Sequence, residues 1–70
     1  MNIIYTLHAL EQIKERKISR VWIEETIKFP DKTNHFGNKC YVIKKLNGKT
    51  IKVVYLKQTY IKVITCYFIK

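Results

Sequence analysis

Residues 39–57, KCYVIKKLNGKTIKVVYLK, establish the presence of a β-sheet because they read as two strands joined by a two-residue turn. Asn47-Gly48 is the strongest short signal for a β-hairpin, since both turn residues must accept a positive φ. A two-residue turn also fixes the strand register, which here places Ile43 opposite Lys52. The sequence therefore predicts an antiparallel hairpin with strands Lys39–Leu46 and Lys49–Lys57.

Alternation along these strands separates an apolar face from a basic one. We expect the apolar face to lie under the helices, with Cys40, Val42, Ile51, Val53 and Tyr55. The opposite face is expected to be open, with Tyr41, Lys45, Lys52 and Val54. A third strand is predicted at Tyr60–Ile69, which is rich in β-branched and aromatic residues. Burying Lys62 would be costly, so it belongs on the open face. This puts Ile61, Val63, Thr65 and Tyr67 toward the helices or their edge.

Ahead of the single proline, Pro30, the apolar residues repeat with a helical period. Helices are predicted at Thr6–Arg16, with Thr6 as N-cap, and at Arg20–Phe29. Asn2–Tyr5 can form a short strand, and Asp31–Asn38 reads as a loop. The expected fold class is α+β, with two N-terminal helices packed on a three- to four-stranded antiparallel sheet in a single domain, residues 1–70.

The net charge of +9 is unevenly distributed along the chain. Residues 1–31 hold all five acids and five bases, whereas residues 32–70 hold nine lysines and no acid. A field of one sign favours a polyanionic partner, such as nucleic acid, an acidic protein or an anionic membrane surface. The alternative is that the lysines serve only solubility.

Localisation and cofactors are constrained by what the sequence lacks. No apolar run approaches the roughly 20 residues of a membrane-spanning helix, and the first ten residues do not resemble a signal peptide. We therefore expect a cytoplasmic protein that does not bind a membrane. Cys40 and Cys66 lack the CxxC spacing and are expected to be reduced thiols. Histidines and carboxylates at metal-ligand spacing are absent from the sequence, so neither a metal site nor a cofactor is expected.

The first helix carries the candidate catalytic histidine. His8, Gln12 and Arg16 follow at steps of four residues and can form one polar row. In the first turn, the helix dipole favours the neutral imidazole that a general base requires. The alternative is an ordinary exposed helix residue.

The open face carries the candidate binding residues. Lys45, Lys52 and Lys62 surround Tyr41, and such a face suits a phosphate backbone with a ring available for base stacking. The alternative is a solvated face with ordinary cross-strand packing.

Four stretches together resemble a small bacterial and archaeal domain family of unknown function: YTLHALEQIKERKIS (5–19), WIEETIKFPDK (22–32), NGKTIKVVY (47–55) and KVITCY (62–67). That family has a T-x-H-A start, an E-R-x-I-S helix junction, a K/R-V-V-Y strand and a final I-T-x-Y strand. Lys17 stands where the family commonly has glycine. The family is similar to the RelE/ParE and BrnT group of toxin domains, whose wider fold is shared by barnase-like and colicin-type ribonucleases.

This resemblance implies an endoribonuclease toxin that is neutralised by a cognate antitoxin, which we expect to be acidic. The family's functional residues fall on His8, Arg16, Lys52, Thr65 and Tyr67. RNA-binding residues are expected at Gln12, Tyr41, Lys45, Lys62 and Lys70.

The leading hypothesis is metal-independent cleavage of RNA, with ribosome-bound messenger RNA as one candidate substrate. The ribose 2′-hydroxyl would attack the adjacent phosphate. His8 would act as general base or acid, and Arg16 and Lys52 would stabilise the charge on the phosphorane. Tyr67 would donate to the leaving oxygen or orient a base, and Thr65 would hold a neighbour in place.

The runner-up is a non-catalytic basic binding module of the same fold, as in the ParE branch, with nucleic acid or an acidic protein as partner. A third reading is a structural or regulatory module. Exposed strand edges also allow a homodimer.

Overall fold

Two helices and a five-stranded sheet make up the computed structural model, which describes residues 2–69. In chain order the elements are β1 (Ile3–Tyr5), α1 (Leu7–Arg16), α2 (Arg20–Lys28), β2 (Lys32–Phe36), β3 (Lys39–Leu46), β4 (Lys49–Lys57) and β5 (Ile61–Ile69). The strand order in the sheet is β1-β5-β4-β3-β2. All neighbouring strands are antiparallel except β1, which runs parallel to β5.

The predicted fold class, a three- to four-stranded antiparallel sheet under two helices, is therefore wrong. The segment predicted as a loop, Asp31–Asn38, contains β2, which pairs with β3 from Lys32 to Phe36. Gly37, at φ 64°, allows the tight turn between these two strands. The N-terminal strand β1 lies at the other edge of the sheet and pairs parallel to β5, so the sheet is mixed.

The two helices begin where the sequence predicts them. Thr6 Oγ1 accepts a hydrogen bond from the Ala9 N–H at 3.1 Å, and Ser19 caps α2 through Val21 in the same way. Lys17 ends α1 in the left-handed conformation, φ 52° and ψ 47°, which explains the glycine preference at this position. α2 ends at Lys28, one residue earlier than predicted. Neither helix within residues 2–69 has the length and apolar character needed to cross a membrane.

The hairpin register agrees with the prediction. Asn47 and Gly48 have φ values of 50° and 78°, and Ile43 lies opposite Lys52. Both turn residues therefore adopt the positive φ that this turn requires.

The core lies between the two helices and one face of the sheet, here called the covered face. α1 packs on β5 and β1, and α2 packs on β4 and β3. Fully buried side chains come from both layers: Ala9, Ile23, Thr26, Val42, Ile51, Val53, Val63 and Cys66. Each buried aliphatic side chain contributes about 1.5–3 kcal/mol, which matters in a domain this small. The one buried hydroxyl in this set, that of Thr26, donates to the Trp22 carbonyl oxygen at 2.7 Å.

A β-bulge in β5 changes which side chains face the helices. Val54 pairs with Thr65, but the next residue, Tyr55, pairs with Val63, so β5 contains one extra residue. The extra residue shifts the alternation, and Cys66 is buried beneath the helices. Tyr67 consequently lies on the opposite face, across from Lys52. The prediction that Tyr67 faces the helices is wrong for this reason.

Candidate nucleic-acid interface

The sheet face turned away from the helices, here called the open face, is strongly basic. The pairing pattern places five lysines on it: Lys32, Lys39, Lys45, Lys52 and Lys62. Strands β2 to β5 contain no Asp or Glu. The nearest acid along the chain, Asp31, lies 3.9 Å from Lys44, which is on the covered side of β3. The open face of β2 to β5 therefore carries positive charge without an intervening carboxylate.

Tyr41 is the centre of an aromatic and cationic cluster on this face. The Nζ atoms of Lys39 and Lys52 each lie 5.5 Å from the centre of its ring, within cation–π range. Phe36 contacts the same ring edge to face, with ring centres 5.7 Å apart. The predicted binding residue Tyr41 is thus held in place by three neighbours from β2, β3 and β4.

Lys52 has a second aromatic neighbour, because the bulge brings Tyr67 opposite it on β5. Without the extra residue, Tyr67 would point into the core under α1. The bulge therefore unites two of the predicted catalytic residues, Lys52 and Tyr67, on the open face. Tyr41, Lys52 and Tyr67 form a continuous row across β3, β4 and β5.

Thr65, at the bulge, points instead to the first helix. Its hydroxyl donates to Gln12 Oε1, and the same oxygen accepts the Cys66 N–H at 3.1 Å. β1 ends at Tyr5, so the outer edge of β5 has no strand partner at this level. The Gln12 side chain accepts the β5 hydrogen bond that a neighbouring strand would otherwise accept. Gln12, expected to bind RNA, thus has a structural contact that the sequence did not reveal.

His8 and Arg16 lie on α1, one helical turn on either side of Gln12, and both are exposed. Within residues 2–69, the His8 imidazole makes no hydrogen bond or ion pair. Burial raises the pKa of the Cys66 thiol, and the positive charge of Arg16 acts in the opposite direction. Arg16 is therefore close enough to influence β5 electrostatically.

The predicted catalytic residues thus form two groups rather than one. Thr65 contacts Gln12 on α1, one helical turn from His8 and from Arg16, whereas Lys52 and Tyr67 lie with Tyr41 on the open face. The bulged strand joins the groups, since Thr65 and Tyr67 are about 7 Å apart along it. The part of the chain that the structure describes encloses no pocket.

The remaining predicted binding residues lie at the margins of the open face. Lys45 is exposed near the Asn-Gly turn, and its backbone N–H donates to Asp31 Oδ2 at 2.9 Å. Lys62 lies between Ile4 and Leu56 on the neighbouring strands. Lys70 is outside the described residues. No group of three or more His, Cys, Asp or Glu side chains suited to a metal ion occurs in residues 2–69.

Residues 5–68 match the family model described as Domain of unknown function (DUF4258). The chain belongs to the DUF4258 family. Comparison with curated proteins gives no match, and neither does comparison with solved structures. Membership covers almost the whole domain, from β1 to β5.

Sequence reasoning missed the part of the open face that β2 supplies in this DUF4258 domain. Lys32, Asn34 and Phe36 share the open face with β3 residues through direct pairing. Their spacing of two residues was an available signal. This signal was weak because the strand KTNHF has no apolar face: all five of its side chains are exposed, so no alternation of apolar and polar residues marks it.

The second histidine of this DUF4258 domain has a partner that the sequence did not suggest. His35 Nδ1 lies 3.2 Å from Cys40 Sγ, across the β2–β3 pair. Cys40 is buried and contacts Tyr55 on β4. Cys40 and Cys66 are both free thiols.

Proposed function

We propose that this DUF4258 domain binds RNA on its open face and cleaves it without a metal ion, as a toxin-type endoribonuclease related to the RelE/ParE and BrnT toxins. The observation that supports the proposal is the row of Tyr41, Lys52 and Tyr67 on the open face, built in part by β5, the same strand whose Thr65 contacts Gln12 of α1. We propose RNA rather than DNA as the substrate because the four sequence motifs of the chain resemble those of RelE-like toxins.

Binding is supported by charge and shape. Ammonium groups spaced across a sheet neutralise successive phosphates, and the release of counterions supplies a large share of the affinity. Flat sheets with exposed aromatic rings suit single strands, whose bases are free to stack. Five lysines and two tyrosines of the open face match this description.

Cleavage would occur where a strand crosses β5 from the open face to the α1 edge. His8, as general base, takes the proton from a ribose 2′-hydroxyl, whose oxygen then forms a bond to the adjacent phosphorus. The bond from phosphorus to the 5′-oxygen breaks, and Tyr67 supplies the proton that this oxygen needs. Lys52 and Arg16 stabilise the negative charge of the phosphorane. The products are a 2′,3′-cyclic phosphate and a 5′-hydroxyl.

The test is cleavage of single-stranded RNA in the presence of EDTA, with analysis of the product ends. We expect His8→Ala to slow cleavage by about 10²–10⁴-fold, the usual contribution of a general acid or base. His35→Ala is the matched control, because His35 is also exposed but lies on β2, at the far edge of the sheet. Equal rates for the wild type and His8→Ala would remove His8 from the mechanism.

A second candidate function is RNA binding without cleavage. It is favoured by the exposure of His8, which lacks hydrogen-bond partners within residues 2–69, and by the open character of the surface. Catalytic bases are normally oriented by a neighbouring group. If the domain only binds RNA, the logarithm of the affinity should fall linearly with the logarithm of the salt concentration. The RNA should also remain intact after long incubation.

Partners follow from the same electrostatics. An acidic antitoxin would neutralise the open face and compete with RNA, because both need the lysines. We propose this competition as the mode of inhibition. Titrating an acidic protein encoded beside the domain into the RNA complex tests it, and simultaneous binding of both would contradict it. A homodimer through β2 or β1 remains a proposal that sedimentation of the purified domain would test.

A further inference from the structure

Strand β2 extends the open face beyond the residues that the sequence predicted. Phe36 pairs directly with Lys39 and contacts the ring of Tyr41. Its side chain is 70% exposed, although it belongs to a paired strand. Phe36 is therefore a large aromatic ring held at a defined position while most of its surface faces solvent.

Tyr41 is the less available of the two rings. Lys39 and Lys52 both place their ammonium groups over it, and Phe36 meets it at an interplanar angle of 86°. A base approaching Tyr41 must displace at least one of these contacts. Within residues 2–69, the one aromatic ring that contacts Phe36 is that of Tyr41, and most of the Phe36 ring is exposed to solvent.

We infer that Phe36 is a base-stacking residue for single-stranded RNA, with Lys39 and Lys52 placed to contact the phosphates on either side of Tyr41. This inference rests on the proposed function, because it assigns the part of the open face that receives a base. Stacking on an aromatic ring requires an unpaired base, since the faces of paired bases are covered by their neighbours in an A-form duplex. Phe36 therefore makes the open face selective for single strands.

The charge around Phe36 favours nucleic acid over a protein partner. The open-face lysines around Phe36 and Tyr41 are Lys39, which pairs with Phe36, and Lys52, which lies over the Tyr41 ring, and β2 to β5 contain no acid. An exposed ring among ammonium groups matches the alternation of base and phosphate along a single strand. Apolar protein surfaces would leave these ammonium groups without counter-charges.

The test is fluorescence anisotropy with three probes: a short oligoadenosine RNA, an abasic strand of the same length, and a blunt-ended RNA duplex. We expect Phe36→Ala to weaken oligoadenosine binding about tenfold, as the loss of one stacked base does. Phe36→Leu should lose a similar factor, because it keeps an apolar side chain but removes the ring. Binding of the abasic strand and the duplex should not change.

Phe29→Leu is the matched control, since Phe29 is 62% exposed but follows α2 on the helical side. Circular dichroism of each variant establishes that it is folded. Unchanged oligoadenosine affinity in both Phe36 variants would overturn the inference while leaving RNA binding intact. An equal loss on the abasic strand would also overturn it, because the effect would not involve bases. Failure of the wild type to bind any probe would overturn the proposed function, and the inference with it.

Discussion

The two faces of the sheet differ in almost every physical respect, although the same strands build both. The covered face holds the buried apolar core, and the buried side-chain polar atoms within residues 2–69 all have hydrogen-bond partners. The open face carries five lysines and no acid in β2 to β5. Stability of this domain therefore resides mainly on one face, and the proposed binding site lies on the other.

One step along a strand is enough to move a side chain from the buried core to the basic surface. Ile51 is fully buried, whereas its neighbour Lys52 holds its ammonium group over Tyr41 on the open face. Successive strand side chains point to opposite faces, so the two positions share a backbone but no environment. Substitutions at such pairs separate folding from binding.

The largest effect is expected from Ile51→Ala, in the centre of the covered face. Removing a buried isoleucine side chain typically costs about 2–5 kcal/mol of unfolding free energy, a large part of the stability of a domain this small. Urea unfolding followed by circular dichroism measures it. Lys52→Ala should change stability by less than about 1 kcal/mol, because its contacts are partly exposed. Similar losses in the two variants would contradict the division of the faces.

Alkaline pH should destabilise the covered face through Tyr55. Burial raises the pKa of its phenol to about 12, with Cys40 adding to the shift, whereas an unfolded tyrosine titrates near 10. The folded state holds the proton more tightly. The stability from the neutral phenol is therefore complete below about pH 10 and is lost as the pH rises to about 12.

The size of this loss is on the order of 3 kcal/mol, because the folded and unfolded pKa values of Tyr55 are about two apart and each tenfold change in proton affinity is worth about 1.4 kcal/mol. Unfolding free energies of the wild type and Tyr55→Phe, measured across this range, isolate it, because lysine titration is common to both proteins. A constant difference between the two proteins over the whole range would contradict the assignment.

The elements that the sequence predicts well are those that nearby residues determine. Thr6 caps α1 within three residues of itself, and Asn47-Gly48 sets the hairpin register by its own φ values. The features missed by sequence reasoning depend on distant contacts. β2 is a strand because β3 pairs with it, despite a sequence with weak strand propensity. β1 runs parallel to β5, a pairing that joins the two ends of the chain.

The candidate site was only partly predictable for the same reason. Lys52 and Tyr41 followed from the hairpin register, which is local. The face on which Tyr67 lies could not be predicted in this way, because it depends on a bulge in β5. Ile64 and Thr65, at the bulge, both suit regular β structure, so the sequence gives no sign of the extra residue. A one-residue shift reverses the orientation of every side chain beyond it, so this single irregularity decided the composition of the site.

The smallest effect concerns Gln12, at the edge where the two faces meet. Gln12 Oε1 accepts from the Cys66 N–H and the Thr65 hydroxyl, so Gln12→Ala leaves two donors without their partner. We expect a loss of about 1–2 kcal/mol, since the edge of β5 is only partly buried and water can replace some of this bonding. Urea unfolding measures the loss, and faster amide hydrogen exchange at Cys66 should accompany it.

Gln12→Glu separates this structural role from contact with RNA. A carboxylate keeps an acceptor for both donors, so the stability of this variant should stay within about 0.5 kcal/mol of the wild type. If Gln12 also touches RNA, the added negative charge should weaken binding and reduce its dependence on salt. Wild-type affinity in a stable Gln12→Glu variant would mean that Gln12 only completes the edge of β5. A destabilised Gln12→Glu variant would mean instead that the amide nitrogen, and not Oε1, makes the contact that matters.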